Sequence, residues 1–413
     1  MMICGSPFLL LWYASDMPRI SDTDALDLYL RADLHELGGR AHALCCDKHP
    51  EAWRTYVVDR NVNYTNVCAT RCRFCAFSVD GGDARGYVLP TEAMLAKIDE
   101  LVRAGGTQVL LQGGMHPDLG LEFYLDMIRE IRRGFPAVQI HAFSPPEIWF
   151  FHEHFGLGVA EVIARLVEAG LSSIPGGGAE ILVDRVRRLV SPKKCTAGQW
   201  LSVMEQAHAM GLCTTATMMF GHAETPAERI EHLRRLRELQ DRSLENGKGR
   251  FTAFICWTFQ PQNTELGEEM GTEMGTGSAG LWHPQVRLGV SGAMLPSAEA
   301  CLPLKTPPSG LGGATRLWGA TSVTYLRTLS IARLMLDNFD NLQASWVTQG
   351  PKVGQLSLFY GANDMGGVMM EENVVAAAGT SYRMDVPAIR RLITDAGWES
   401  RQRDGFYRLI HAS

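Results

Sequence analysis

From about Tyr56 onward one pattern recurs: a short apolar run, then an amphipathic stretch, then another short run. Thr107–Leu111, Val138–Phe143, Thr214–Phe220 and Phe251–Phe259 read as buried strands. Helical periods lie between them. In Thr91–Ala104, Thr91 can cap the start. Met94, Leu95, Ile98, Leu101 and Val102 form its apolar face, and Gly105-Gly106 stop it. Leu121–Gly134, Val159–Ala169 (stopped by Gly170) and Gln199–Met210 (stopped by Gly211) follow. Thr225-Pro226 opens a helix carrying Ile230, Leu233, Leu236 and Leu239, and a later one spans Ser322–Asn338. Strands that alternate with helices have to run parallel, because each helix carries the chain back to the starting edge of the sheet. At least six such units predict an α/β fold, a (β/α) TIM-type barrel. Residues 56–265 are its core, 17–55 a helical N-terminal extension, and 320–413 its C-terminal completion with closing helices.

Two stretches stand outside this order. Residues 1–16 fit no element, and Met17 is read as the start of the folded chain, with the preceding segment an extension. Residues 267–319 are rich in Gly, Pro, Ser and Thr and read as an insertion without a clean period. They contain Gly275-Thr276-Gly277-Ser278-Ala279-Gly280, which fits GxGxxG. No strand precedes it and no amphipathic helix follows, so a dinucleotide site is not expected there.

With 46% apolar and 20% charged residues and a net charge of −6, the 413-residue chain has the balance of a globular protein. It offers no basic excess for nucleic acid. The longest early apolar run, Phe8–Ala14, falls well short of the roughly 20 residues that cross a bilayer. The first Lys or Arg is Arg19, so a positive leader is lacking. A cytoplasmic location without a membrane partner is expected, and ten cysteines there argue for metal or redox chemistry rather than disulfides.

Three of those cysteines are decisive. In Asn61-Val62-Asn63-Tyr64-Thr65-Asn66-Val67-Cys68-Ala69-Thr70-Arg71-Cys72-Arg73-Phe74-Cys75 they stand at CxxxCxxC spacing, on a loop that follows a candidate strand. A [4Fe–4S] cluster takes four thiolates, so three would leave one iron open to a non-protein ligand. A zinc site would need a fourth Cys or His, which the segment lacks, and three unrelated thiols are the remaining reading. Gln112-Gly113-Gly114 and Pro175-Gly176-Gly177-Gly178-Ala179-Glu180 sit after the second and fourth strands, where glycine lets backbone approach a ligand closely or merely permits a sharp turn. His116, Glu224, Gln260 and Asn263 also lie just past strand ends, as substrate contacts or as solvated and capping residues. His152 and His154 do not share a helix face and read as non-ligands. Cys4, Cys45, Cys46, Cys195, Cys213, Cys256 and Cys301 read as small apolar residues or incidental thiols.

The cysteine loop resembles that of the radical S-adenosylmethionine enzymes, Phe74 included. The blocks DRNVNYTNVCATRCRFCAFS, QGGMHPDLGLEFY, SIPGGGAEIL, TATMMFGHAET, FTAFICWTFQPQNT and WVTQGPKVGQLSLFYGANDMGGVMMEENVV extend it over about 17–265 and 320–413. Within the superfamily they look like the futalosine-pathway enzymes of menaquinone synthesis, nearest to the cyclic dehypoxanthine futalosine synthases. Cys256 stands where that family usually has proline.

The resemblance implies a [4Fe–4S] cluster on Cys68, Cys72 and Cys75. It implies S-adenosyl-L-methionine held by Gln112, Gly113, Gly114, Gly176, Gly177, Gly178 and Glu180. The implied small-molecule substrate is dehypoxanthine futalosine, cyclised after hydrogen abstraction at ribose C4′, and the implied electron donor is a flavodoxin or ferredoxin. An aminofutalosine synthase-type enzyme is the alternative reading, and a non-enzymatic metal-binding protein a more distant one. Arg71 and Arg73 are candidates to meet the substrate's benzoate, and no residue is singled out as the proton-accepting base.

Overall fold

The computed structural model describes residues 19–273 and 320–410. The expectations for residues 1–16 and for the GxGxxG stretch fall outside them. Two helices, Asp22–Arg31 and Leu34–Lys48, form the N-terminal extension. Ser21 and Asp33 cap them by accepting backbone N–H bonds. The extension ends earlier than its expected boundary at 55, because the first strand begins at Trp53.

Among the described residues nine strands follow: β1 (Trp53–Val57), β2 (Asp59–Val62), β3 (Gln108–Leu111), β4 (Gln139–Ala142), β5 (Thr214–Phe220), β6 (Phe251–Thr258), β7 (Asn341–Gln343), β8 (Asp364–Gly367) and β9 (Glu399–Arg403). Every pairing between them is parallel. β2 pairs with β3 and β3 with β4. Single bridges His141–Ser173 and Ile174–Thr214 carry the pairing to β5. From there it runs through β6, β7 and β8 to β1, which only Val58 separates from β2. The parallel staves thus return to their start, the layout of a (β/α) barrel whose fourth stave is reduced to two bridges. β9 lies alongside β1 on its other edge.

The helices pack outside. Leu121–Gly134 and Val159–Ala169 occupy the residues that their periods predict, burying Leu125, Ile128 and Ile131, and Val162, Ile163 and Leu166. The helix opened by Thr225 runs to Asn246 with a capping box closed by Glu228. Thr91 is the first helical residue rather than the cap. Pro90 holds the cap position, extended at φ −60° and ψ 147°, and no side chain caps the helix. A helix over Glu265–Glu273 extends into the stretch expected to lack periodicity from residue 267. Among the described residues no helix is long and apolar enough to cross a membrane.

Candidate active site

In a parallel barrel the loops after the strands gather at the carboxyl ends of the strands and build the site there. Here the lumen and loops enclose a cavity of about 410 Å³. The ten residues expected to hold the cluster or S-adenosylmethionine all line it: Cys68, Cys72 and Cys75; Gln112, Gly113 and Gly114; Gly176, Gly177, Gly178 and Glu180.

The cysteine loop leaves β2 and is pinned by backbone bonds from Cys68 N–H to Val79 O, Ala69 N–H to Met115 O and Arg73 N–H to Val190 O. Arg71 takes a left-handed φ of 44°, which turns the loop between Cys68 and Cys72. The Thr70 hydroxyl stands 3.0 Å from Cys68 Sγ and 3.9 Å from Cys72 Sγ. Burial pushes the Cys72 thiol up to about 11, against the pull of the Lys194 cation. Among the described residues no three His, Cys, Asp or Glu side chains converge on a single-ion site. The donor set is three thiols on one loop facing one cavity. It fits a cluster whose irons each take one thiolate, with no fourth protein ligand on the loop.

The two glycine turns are built by tight contacts. A Cβ on Gly114 would stand 2.6 Å from the Val67 carbonyl carbon, and one on Gly177 2.7 Å from Gln112 Nε2. The contact at Gly114 is with fixed backbone and admits only glycine, whereas the Gln112 side chain near Gly177 could swing aside. Three side chains that sequence reading missed hold these turns. Glu147, 3% exposed, accepts from Tyr64 Oη (2.6 Å), Gly113 N–H (3.2 Å), Ser144 N–H (2.7 Å) and Ser144 Oγ (2.5 Å). Its signal was present in Ser144-Pro-Pro-Glu147, a capping box before an apolar run.

Arg187 donates to the carbonyls of Gly178 (3.1 Å), Ala179 (2.6 Å) and Cys195 (2.6 Å). Lys194 lies 2.8 Å from Glu180, with its Nζ 5.1 Å from the Phe74 ring centroid. Burial disfavours the Glu180 carboxylate, but Lys194, with Arg187 and His222, holds it below the usual carboxylate range. Glu180 also sits at a φ of 43°, so its backbone is strained where its side chain reaches the cavity.

Other sequence expectations resolve differently. Arg71 and Arg73 do not line the cavity. Arg73 is engaged by Glu265, Glu269 and the Leu189 carbonyl, and Arg71 by the Ser78 carbonyl and Asp80. The cavity's cations, among the described residues, are Lys194 and Arg403. Glu224 caps the Gly221 and His222 amides and pairs with Arg229 inside the protein. His116 accepts the Asp118 amide, and Asn263 donates to the Ala377 carbonyl. Of these four residues Gln260 reaches the cavity. His152 meets the Leu157 carbonyl and His154 stacks on Phe150. Cys256 is fully buried within β6 and does not itself line the cavity, which its neighbours Ile255 and Trp257 face.

Residues 62–236 match the family model "Radical SAM superfamily", and residues 315–412 match "CofH/MqnC C-terminal region". Cyclic dehypoxanthine futalosine synthase of Halalkalibacterium halodurans is 41% identical over 95% of this chain and 92% of its own. Aminodeoxyfutalosine synthase of Thermus thermophilus is 34% identical over 95% of this chain and 92% of its own. The crystal structure of methylornithine synthase superposes with a TM-score of 0.62 at 16% identity, covering 93% of this chain and 94% of that one, a likeness of fold. With its cysteine loop and glycine turns gathered at the mouth of a parallel α/β lumen, the chain belongs to the radical SAM superfamily and, within it, to the family of cyclic dehypoxanthine futalosine synthase.

Proposed function

We propose that the protein converts dehypoxanthine futalosine to cyclic dehypoxanthine futalosine in menaquinone biosynthesis. The observation that carries this reading is the shared cavity. Three thiols, two glycine turns and Glu180 converge at one end of a lumen with room for a small substrate below them. The family relationship, closer to the cyclase than to the aminodeoxyfutalosine enzyme, supplies the substrate class. When bound, a [4Fe–4S] cluster and S-adenosylmethionine supply a 5′-deoxyadenosyl radical, with S-adenosylmethionine consumed as the oxidant.

Cys68, Cys72 and Cys75 would hold the cluster. Gln112, the Gly113–Gly114 backbone, the Gly176–Gly178 turn and Glu180 would receive S-adenosylmethionine. The chain's own task is positioning: reacting carbons held ~3–3.5 Å apart, in a site dry enough to protect them. Glu147, Arg187 and Lys194 fix the turns before any ligand arrives. A flavodoxin or ferredoxin would deliver the electron.

The test is anaerobic reconstitution followed by turnover with substrate deuterated at ribose C4′. Deuterium should appear in 5′-deoxyadenosine, and the product should be two hydrogens lighter than the unlabelled substrate. An adenine-containing adduct would point to the aminofutalosine reaction instead. 5′-Deoxyadenosine formed at the same rate without substrate would refute the substrate assignment.

A further inference from the structure

Among the described residues four carboxylates line the cavity: Asp59, Glu147, Glu180 and Glu372. Three are already engaged. Glu147 accepts four donors, and Glu180 is paired with Lys194. Glu372 accepts Asn61 Nδ2 (3.1 Å) and the amides of Val374 (2.8 Å) and Val375 (2.9 Å). Asp59 differs. It is 5% exposed, and its Oδ1 accepts the Met369 amide at 3.1 Å. Among the described residues no side chain donates to it and no cation forms an ion pair with it. Arg403, whose charge acts on it from β9, is itself taken up by Asp364 of β8 at 2.6 and 2.9 Å. Gly367, at the end of β8, leaves the space that the carboxylate occupies: a Cβ there would stand 2.5 Å from Oδ2.

We propose that Asp59 is the catalytic base that removes the ring proton after cyclisation. The proposal rests on the function given above. Once C4′ has bonded to the aromatic ring, that ring carbon still carries a hydrogen and the ring carries one unpaired electron. The C–H bond breaks and its proton goes to the free Asp59 oxygen. Of the three electrons then on the ring, two restore the aromatic π bond and one leaves to a one-electron acceptor of the iron–sulfur class.

Burial raises Asp59 to about 6, opposed by the Met369 amide and Arg403 and reinforced by Asp364. That places its proton affinity near the operating pH, where a general base works best. His141, the histidine that lines the cavity among the described residues, is held by Ser173 Oγ at 2.6 Å, and burial lowers it to about 3, a weak proton acceptor.

The experiment compares the reconstituted holoenzyme with Asp59→Asn and Asp59→Glu, using the C4′-deuterated substrate. In Asp59→Asn, deuterium transfer to 5′-deoxyadenosine should continue while cyclic product falls ~100-fold or more, the usual contribution of a general base. An organic radical should accumulate in the EPR spectrum, and Asp59→Glu should recover part of the product. Without substrate, a carboxyl infrared band titrating near pH 6 in the wild type should be missing from Asp59→Asn. Product at the wild-type rate in Asp59→Asn would overturn the proposal. So would equal loss of deuterium transfer and product, which would make Asp59 a positioning residue. A wild-type enzyme whose 5′-deoxyadenosine formation ignores substrate would refute the underlying function, a result distinct from either of these.

Discussion

Gly114→Ala tests whether the first glycine turn and the cysteine loop are one packed unit. The new methyl would stand 2.6 Å from the Val67 carbonyl carbon and 3.0 Å from Cys68 Cβ. An ordinary carbon contact is ~3.5 Å, so backbone must move by about 1 Å. Neither side is free to yield. Gly114 N–H donates to Thr65 O and Ala69 N–H to Met115 O, both at 2.9 Å, on either side of the clash. Overpacking costs ~1–3 kcal/mol and losing one of those bonds ~0.5–1.5 kcal/mol, so a destabilisation of about 2–4 kcal/mol is expected. Because Val67 leads directly into Cys68, the movement should also reduce iron loading. Urea unfolding and iron content after anaerobic reconstitution measure the two effects. Gly134→Ala is the control: its Cβ would meet nothing within 4 Å, and it ends a helix. If Gly114→Ala matched the wild type in both unfolding midpoint and iron content, the coupling between turn and loop would be refuted.

Cys68→Ala, Cys72→Ala and Cys75→Ala should each abolish both cluster absorbance and turnover; full activity in any one would remove that residue from the ligand set. Glu147→Gln puts an NH₂ group against donors that now meet an acceptor, and at ~1–3 kcal/mol for each buried group left unpaired it should lower the unfolding midpoint clearly. Lys194→Met leaves Glu180 charged and buried, a loss of ~3–5 kcal/mol that Lys194→Met combined with Glu180→Gln should largely relieve; a double variant no more stable than the single one would show that the pair is not coupled. Acidification should destabilise the fold. Burial lowers His141, His208 and His232 to about 3, 4 and 3, so below their unfolded value of ~6.5 the unfolded chain takes up protons that the folded chain refuses. Asp59, raised to about 6, opposes this in the range between its unfolded value and 6. For these four groups taken alone the loss is ~2.7 kcal/mol per unit from pH 6 to 5; His42 and His49, also lowered by burial, add to it, and Glu147 and Glu372, raised by burial, oppose it. An unfolding midpoint equal at pH 7 and 5.5 would contradict the expected loss.

What the sequence made legible followed from local rules. The helices Leu121–Gly134 and Val159–Ala169 could be read residue by residue because one face is apolar and the other charged. Ten residues of the cavity wall could be named because cysteine spacing and glycine runs mark the loops after strands. β7, β8 and β9 escaped, and the reason is physical. Asn341–Gln343 and Asp364–Gly367 carry polar residues that face one another or the lumen, and Glu399–Arg403 is an edge strand whose Glu399 and Arg401 are exposed. Asp364 meets Arg403 and Thr55, and Gln343 meets Tyr407. A hydropathy pattern inverts there, so strands look like loops. Arg187 and Lys194 escaped for another reason. Their partners are backbone carbonyls and a carboxylate across a turn, which no periodicity marks.

The same inversion bears on catalysis. A lumen lined with polar side chains is normally a liability, since each unpaired group costs stability and invites water. Here most of those groups are paired before any ligand enters. Glu147 serves Tyr64, Ser144 and Gly113; Thr217 donates to the Gly176 carbonyl; Trp346 Nε1 donates to the Gly367 carbonyl. A donor or acceptor already committed to the protein does not need to reorient when a reactive carbon forms beside it, so the geometry is set in advance. The exceptions then carry the information. Asn61 is buried on the cavity wall with its Oδ1 unpartnered, while its Nδ2 is held by Glu372. An acceptor left open in an otherwise satisfied wall suits a hydroxyl of a ribose-bearing substrate. Replacing it by Asn61→Leu should therefore raise KM for substrate while leaving cluster content unchanged, and an unaltered KM would remove Asn61 from the binding surface.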